Sequence, residues 1–192
     1  MDEEQQAQHW CHLAAKGDRA AATKLLHAYY QRVFSYLRRL SESDDDAADL
    51  TQETFIKVWQ SVPKYQARSR VTTWIHRIAY CTWVDWIRKR RPTSAKSDNW
   101  WLNLSDDGPH PSAPLSEREQ QQQLWRLVRQ LPEEQAQAIH LRYGQQLSLK
   151  DTAEVLDLPL STLKLRIRTA LDQLRPQLET SNDIPTTFNL NH

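Results

Sequence analysis

Apolar side chains return every three or four positions along most of this chain, the spacing of one buried helical face. Between residues 18 and 40 the series is Leu25, Leu26, Tyr29, Tyr30, Val33, Phe34, Leu37 and Leu40. Gly17-Asp18 stands before it as a break and a cap. A second helix is predicted from about residue 46 to residue 60, and Pro63 ends it. A loop over 61–70 leads into a third helix from Val71 to about Arg91, closed by Pro92. No stretch alternates with the period of two that marks a strand. The expected fold class is all-α.

Residues 93–115 change character. Pro109, Pro111, Pro114, Gly108, serines and the acids Asp98, Asp106 and Asp107 describe a flexible acidic linker. Trp100 and Trp101 sit inside it and suggest that it docks on something. Helical patterning resumes at Leu115 and runs to about Leu178; the polar residues after it lack periodicity. The expected organisation is two small helical domains, 1–95 and 116–178, joined by a linker over 96–115 and followed by a disordered tail over 179–192.

The second domain ends in a helix-turn-helix pattern. Ser148-Leu149-Lys150-Asp151 has capping-box spacing, with a short helix through Leu156. The turn Asp157-Leu158-Pro159-Leu160 follows, then Ser161 as the expected cap of a second helix. Winding that helix at about 100° per residue puts Leu163, Ile167, Ala170, Leu171 and Leu174 on the core side. Thr162, Leu165, Arg168 and Thr169 face outward, with Lys164 and Arg166 at the flanks. Polar and basic groups near a helix start are what major-groove reading requires.

Composition removes several function classes. Only three glycines are present and none lies in a cluster, so no phosphate-cradling loop is expected. No apolar run approaches the roughly 18 residues of a membrane span, and Met1-Asp2-Glu3-Glu4 is the opposite of a signal peptide. Cys11 and Cys81 form no disulfide framework, which fits a reducing compartment. A cytoplasmic protein without membrane insertion is therefore expected. His9, Cys11 and His12 crowd one helix and cannot close a tetrahedral metal site without a distant fourth ligand, so no metal and no cofactor are expected. Nothing resembles a nucleophile–base–orienter set, and the chain is expected not to be an enzyme.

The net charge of +1 conceals an asymmetry: residues 61–96 hold nine bases against one acid, while residues 1–60 hold seven bases against ten acids. A basic block between acidic neighbours is a local footprint for a polyanion. Arg68, Arg70, Arg77, Arg88, Lys89, Arg90 and Arg91 interleave there with Tyr65, Trp74, Tyr80, Trp83 and Trp86. Cations track phosphates, and aromatic faces stack on bases that have left the duplex.

Three ordered blocks then resemble the sigma factors of bacterial RNA polymerase, of the small extracytoplasmic-function (ECF) subfamily within the sigma-70 family. Asp49-Leu50-Thr51-Gln52-Glu53-Thr54-Phe55-Ile56-Lys57-Val58-Trp59 is similar to that family's polymerase-binding helix. Trp74-Ile75, Ile78-Ala79, Asp85 and Arg88 resemble its promoter-melting helix. Leu131-Pro132, Leu141, Tyr143, Ala153, Thr162, Lys164 and Arg166 resemble its carboxy-terminal promoter-binding region.

The resemblance implies a factor that binds core RNA polymerase, takes it to specific promoter DNA and assists melting, with an anti-sigma partner of the kind such factors commonly have. Asp49, Gln52, Glu53, Ile56 and Gln60 share one helical face and would meet the polymerase; Ala48, Phe55, Val58 and Trp59 would face the core. Melting needs a hold on an unpaired base, since unstacking costs a few kcal/mol. The loop over 61–70 is the implied pocket, and Lys64, Tyr65, Arg68, Arg70, Arg77, Tyr80, Trp83, Arg88 and Arg90 the implied contacts with the melted element. Ser161, Thr162, Lys164, Leu165, Arg166 and Arg168 would read the duplex element.

Departures from the family pattern fall mostly on the recognition helix. Ser161-Thr162-Leu163-Lys164-Leu165-Arg166 stands where Gly-Thr-Val-Lys-Ser-Arg is usual, and Tyr80-Cys81 where Arg-Asn is common. The rival readings are a helix-turn-helix regulator with no polymerase contact, and an inactive sigma-like interaction module.

Overall fold

The computed structural model of the protein describes residues 2–41, 43–90 and 123–179. The expected acidic linker and residues 180–192 of the expected tail lie outside the described residues. So do Arg91, Pro92, Trp100 and Trp101. Every regular element among the described residues is helical. Helix α1 spans Glu3–Ala15, α2 Arg19–Arg38, α3 Asp44–Ser61 and α4 Val71–Arg90. Among the described residues α5 covers 123–129, followed by α6 Glu133–Ile139, α7 Leu149–Leu156 and α8 Leu160–Glu179.

The boundaries have local causes. Gly17 has φ +91°, which closes α1 without a Cβ penalty, and the Asp18 carboxylate accepts the backbone N–H groups of Ala20 and Ala21 to open α2. Ser43 caps α3 by accepting from Asp46 N at 3.1 Å, with three aspartates in the first turn where the helix dipole favours them. Ser148 caps α7 by accepting from Asp151 N at 3.0 Å. Asp157, left-handed at φ 56°, ends that helix. One cap departs from expectation: α8 begins at Leu160, with Leu163 N–H donating to Pro159 O at 3.1 Å, so Ser161 lies inside the helix and is not its cap. The helix thus starts two residues earlier than expected, and Pro159 at its threshold has no N–H that needs a partner.

Helices α1–α4 enclose Ala7, Cys11, Leu25, Tyr29, Val33, Leu37, Leu50, Val58, Ile75 and Ala79. Helices α5–α8 enclose Leu124, Val128, Ile139, Leu141, Val155, Leu163, Ile167 and Leu174. The two groups meet along a seam rich in polar contacts. Tyr36 Oη donates to Gln137 Oε1 at 2.9 Å in a buried bond. His76 packs edge-on to Tyr36, its Nδ1 donates to Thr72 O at 2.8 Å, and its Nε2 faces the Gln145 side-chain amide at 3.3 Å. Arg39 stacks over Trp125 at 4.2 Å, and Trp125 stacks on His140 at 4.8 Å. Gly144 permits that approach, because a Cβ there would lie 2.7 Å from Arg39 Nη1 and 3.2 Å from the Trp125 ring. Thr73 Oγ1 donates to Asp151 Oδ1 at 2.8 Å. Arg77 reaches Glu154 O at 3.2 Å and the Asp157 carboxylate at 3.3 Å.

Two fully enclosed histidines lie in this seam, and each has its pKa lowered, first by burial. For His140 the neighbouring Arg39 and Arg129 guanidiniums act in the same direction. At His76 the bonds to Thr72 and Gln145 oppose burial, and Arg32 adds to it. The folded chain therefore holds both neutral where the unfolded chain begins to take up protons. Stability should fall as pH drops below the ordinary histidine value of 6.5, by at most about 1.4 kcal/mol per pH unit for each group. His140 Nδ1 is buried without a hydrogen-bond partner, so His140→Phe removes an unsatisfied atom and keeps a ring against Trp125. Urea titrations at several pH values between 7.5 and 5.5 should show a shallower fall for His140→Phe than for the wild type. An equal fall in both would place the acid sensitivity elsewhere.

Candidate functional site

Three surfaces carry the residues singled out from the sequence. On α3, Leu50, Thr51, Thr54 and Val58 turn into the core, and Thr51 and Thr54 donate their hydroxyls back to Ala47 O and Leu50 O at 2.7 Å each. That rotation leaves Asp49, Gln52, Ile56 and Gln60 exposed. Glu53 is half-buried and pairs with Lys57 at 2.8 Å, while Lys57 also donates to Thr82 on α4. Phe55 is half-buried and stacks on Tyr30. Trp59 corrects the expectation of a core tryptophan. It is 46% exposed beside Ile56, itself 57% exposed. The i, i+3 spacing to Ile56 carries that adjacency. Two large apolar side chains are thus held in water in the middle of a polar face.

The second surface is the loop over 61–70 with α4. A 3-10 turn over Val62–Lys64 starts the loop. The Tyr65 ring packs on Trp74 at 4.7 Å, and its hydroxyl donates to Ser69 O at 2.7 Å. Burial, with the nearby Cys11 and Glu4, pushes the Tyr65 phenol up, so it remains a neutral donor. Ala67 is left-handed at φ 51°. Lys64, Arg68 and Arg70 all face solvent.

Along α4 the expected DNA contacts separate into different roles. Trp83 is 2% exposed and its indole N–H donates to Leu40 O at 2.9 Å, so it is core in this arrangement and offers no ring to a base. Tyr80 is half-buried, stacked beside Trp83. Arg77 is engaged by α7, as described above. At the far end Arg88 is 79% exposed and paired with Asp85, and Arg90 lies over Trp86 and reaches Asp46 at 3.1 Å. With a rise of about 1.5 Å per residue, Arg70 and Arg88 stand roughly 27 Å apart along the helix. The basic block is therefore two patches and not one.

The third surface is the outer side of α8. Leu163, Ile167, Ala170 and Leu174 are buried, as the winding predicted, while Leu171 is half-buried. Ser161, Lys164, Leu165 and Arg168 are exposed, Leu165 at 65%, and Thr162 is half-buried. Arg166 is held by Glu134 of α6 at 2.7 Å. The apolar character of this face is reinforced by Leu160, 42% exposed.

Among the described residues no group of three or more His, Cys, Asp or Glu is placed to hold a metal ion. Cys11 is buried, which with Glu4 pushes its thiol up to about 12 and makes it an inert core residue. No described helix is long and apolar enough to cross a membrane.

Comparison with known proteins concerns the whole chain and its two helical groups. Residues 25–93 match the Sigma-70 region 2 family and residues 127–176 match Sigma-70 region 4. The chain is 31% identical over 168 residues to the ECF RNA polymerase sigma-E factor of Escherichia coli (strain K12), covering 82% of this chain and 87% of that protein. It is 26% identical over 171 residues to the ECF RNA polymerase sigma factor SigW of Bacillus subtilis (strain 168), covering 85% and 91%. The fold is similar to CnrH, solved in complex with the cytosolic domain of CnrY, with a TM-score of 0.69 at 19% identity, covering 92% of this chain and 99% of that one. It is also similar to the sigma factor RpoE of Bartonella quintana, solved with the anti-sigma factor NepR, with a TM-score of 0.69 at 22% identity, covering 83% and 98%.

A helical chain with region 2 followed by region 4 is a promoter-directing component of RNA polymerase. The chain belongs to the sigma-70 family, and within it to the extracytoplasmic-function sigma factors.

The geometry separates Trp83, which is buried, from Trp59, which is exposed. Trp83→Ala should cost about 3–5 kcal/mol of stability, the usual loss for a large buried ring with its cavity. Trp59→Ala should stay within about 0.5 kcal/mol of the wild type, as substitutions at exposed sites do. Denaturant midpoints of the two variants check this assignment, and similar losses for both would contradict it.

Proposed function

We propose that the exposed face of α3 is where this sigma factor grips core polymerase. Its contact residues would be Asp49, Gln52, Glu53, Ile56, Trp59 and Gln60. The observation that carries the reading is the pair Ile56 and Trp59, 57% and 46% exposed within a polar helical face. Exposed aromatic and aliphatic residues ringed by polar ones are typical anchors of a protein interface. Ile56→Glu should weaken binding to core polymerase by about 30-fold or more, the effect of losing an interface anchor of about 2 kcal/mol. The thermal midpoint should be unchanged, and polymerase pull-down with quantified titration checks both. Undiminished binding would place the polymerase contact elsewhere than on this face of α3.

The DNA assignments follow from the other two surfaces. The loop over 61–70, with Lys64, Arg68 and Arg70 outward and its backbone tied by Tyr65, is the site proposed to hold an unpaired base of the melted element. Arg88 and Arg90 would follow phosphates farther along. On α8, Lys164 and Arg168 suit phosphate contact, and Leu165 suits apolar contact with a thymine methyl in the major groove. The proposed division keeps residues 1–95 for polymerase and melting and 116–178 for duplex binding, with 96–115 between them.

The factor itself is proposed to be non-catalytic and cytoplasmic. Because its structural neighbours include a sigma factor bound to an anti-sigma factor, an anti-sigma partner is proposed here too. Leu165→Ser should relax the preference at one base pair of the upstream element by about 1–3 kcal/mol. Lys164→Ala should weaken all promoters about equally and lower the salt dependence. In vitro transcription from a promoter library checks this, and an unchanged ranking with Leu165→Ser would exclude base reading by that side chain.

A further inference from the structure

Helix α1 lies before the residues that match Sigma-70 region 2, which begin at 25. Its most unusual side chain is Glu4, a charged group only 12% exposed. A buried carboxylate persists where partners replace its water. The partners of Glu4 are concentrated at the point where the loop over 61–70 becomes α4. Oε1 accepts the backbone N–H of Val71 at 2.7 Å and the Gln8 side-chain amide at 3.2 Å. Oε2 lies 3.4 Å from Arg70 Nε and, though buried, makes no hydrogen bond beyond that ion contact.

Val71 is the first residue of α4, and its N–H has no partner inside the helix. Glu4 therefore caps α4 from another helix, in place of a neighbouring residue in sequence. The bond is charge-assisted and favoured by the positive end of the helix dipole. The rest of the loop is tied separately. Its start is the 3-10 turn over Val62–Lys64, and its middle is closed by the Tyr65 hydroxyl on Ser69 O across left-handed Ala67. The exit of the loop has the Glu4 contacts. The same carboxylate draws Arg70 in by its Nε while 59% of that side chain remains in water.

We propose that Glu4 is a positioning residue for base selection: it fixes the exit of the loop and the aim of Arg70, so that the choice of the unpaired base depends on α1. This rests on the reading of the loop over 61–70 as the base-holding site. Glu4 touches no DNA in this scheme; it acts through the Val71 N–H and Arg70.

The test is a promoter library randomised over the melted element and transcribed by reconstituted holoenzyme. The proteins compared are the wild type, Glu4→Ala, Glu4→Gln, Glu4→Asp and the loop variant Arg68→Ala. Loss of a charge-assisted hydrogen bond should flatten the preference at one position by about tenfold in Glu4→Ala. Preferences elsewhere and binding to core polymerase should stay within about twofold, the range of ordinary surface changes. Glu4→Gln, whose carbonyl still accepts from Val71, should restore most of that preference. Glu4→Asp keeps the charge but shortens the reach, and should flatten the same position even if Glu4→Ala does not fold. A library ranking altered by Arg68→Ala but not by Glu4→Ala or Glu4→Asp would overturn the role of Glu4 alone. A ranking altered by none of them would remove the base-holding loop, and the proposal with it.

Discussion

The buried bond between Tyr36 and Gln137 is the contact on which the arrangement of this molecule depends. It joins α2 of the first helical group to α6 of the second, and Tyr36 is fully enclosed there. Around it lie His76 with Gln145, Thr73 with Asp151, and Arg39 over Trp125. Such a seam differs from a core of leucines. Each polar pair exchanges bonds with water for bonds with protein, and the net gain is only about 0.5–1.5 kcal/mol per bond. Leaving one partner unpaired inside the protein costs more than that. A seam of this kind therefore specifies one fit between the two groups while holding them less strongly than apolar packing of the same area. Interfaces between domains of one chain are commonly of this polar type.

The seam also decides which cations are available. Arg77 lies midway along α4, in the block that reads as the polyanion footprint, yet α7 already supplies it with a carbonyl and a carboxylate. A phosphate reaching Arg77 would meet a guanidinium whose charge Asp157 already partly neutralises. Lys64 and Arg68, in contrast, face water. The charge of residues 61–96 thus overstates what a nucleic acid meets in this arrangement. Arg90 is likewise shared with Asp46 and Trp86.

The outline of the fold was legible in the sequence because its boundaries are written locally. Gly17-Asp18, Ser148 and Asp157 act through their own backbone neighbours, and a capping rule needs nothing farther away. The core face of α8 was legible for a similar reason, since Leu163, Ile167 and Leu174 repeat at helical spacing over several turns. Where the reading departed, the cause was tertiary. Its basic neighbours point Trp83 toward nucleic acid, and only the approach of Leu40 O, a partner from the α2–α3 connection, shows that the ring and its N–H are satisfied inside. Helical winding puts Trp59 on one face with Ala48, Phe55 and Val58, but it does not say which part of that face meets the core. The buried face is Ala47, Leu50, Thr51, Thr54 and Val58, with the two threonine hydroxyls satisfied by their own helix, and that rotation leaves the tryptophan facing out. Arg166, expected to flank the groove-reading face, is held by Glu134, a residue that no local pattern connects to it.

The same distinction explains why α1 was silent in the sequence. Glu4 reads there only as one of the acids that make the amino terminus the opposite of a signal peptide. Its significance comes from the fold bringing the start of α1 to the start of α4. Two helix beginnings then share one carboxylate: Glu4 stands in the first turn of its own helix and caps the other. Because the carboxylate is largely enclosed, its interaction with Val71 and Arg70 is screened less by salt than a surface pair would be. Lys64 and Arg68, which face water, must lose strength as salt rises. The geometry of the loop should therefore be less sensitive to ionic strength than its attraction for DNA, and the two properties rest on different residues.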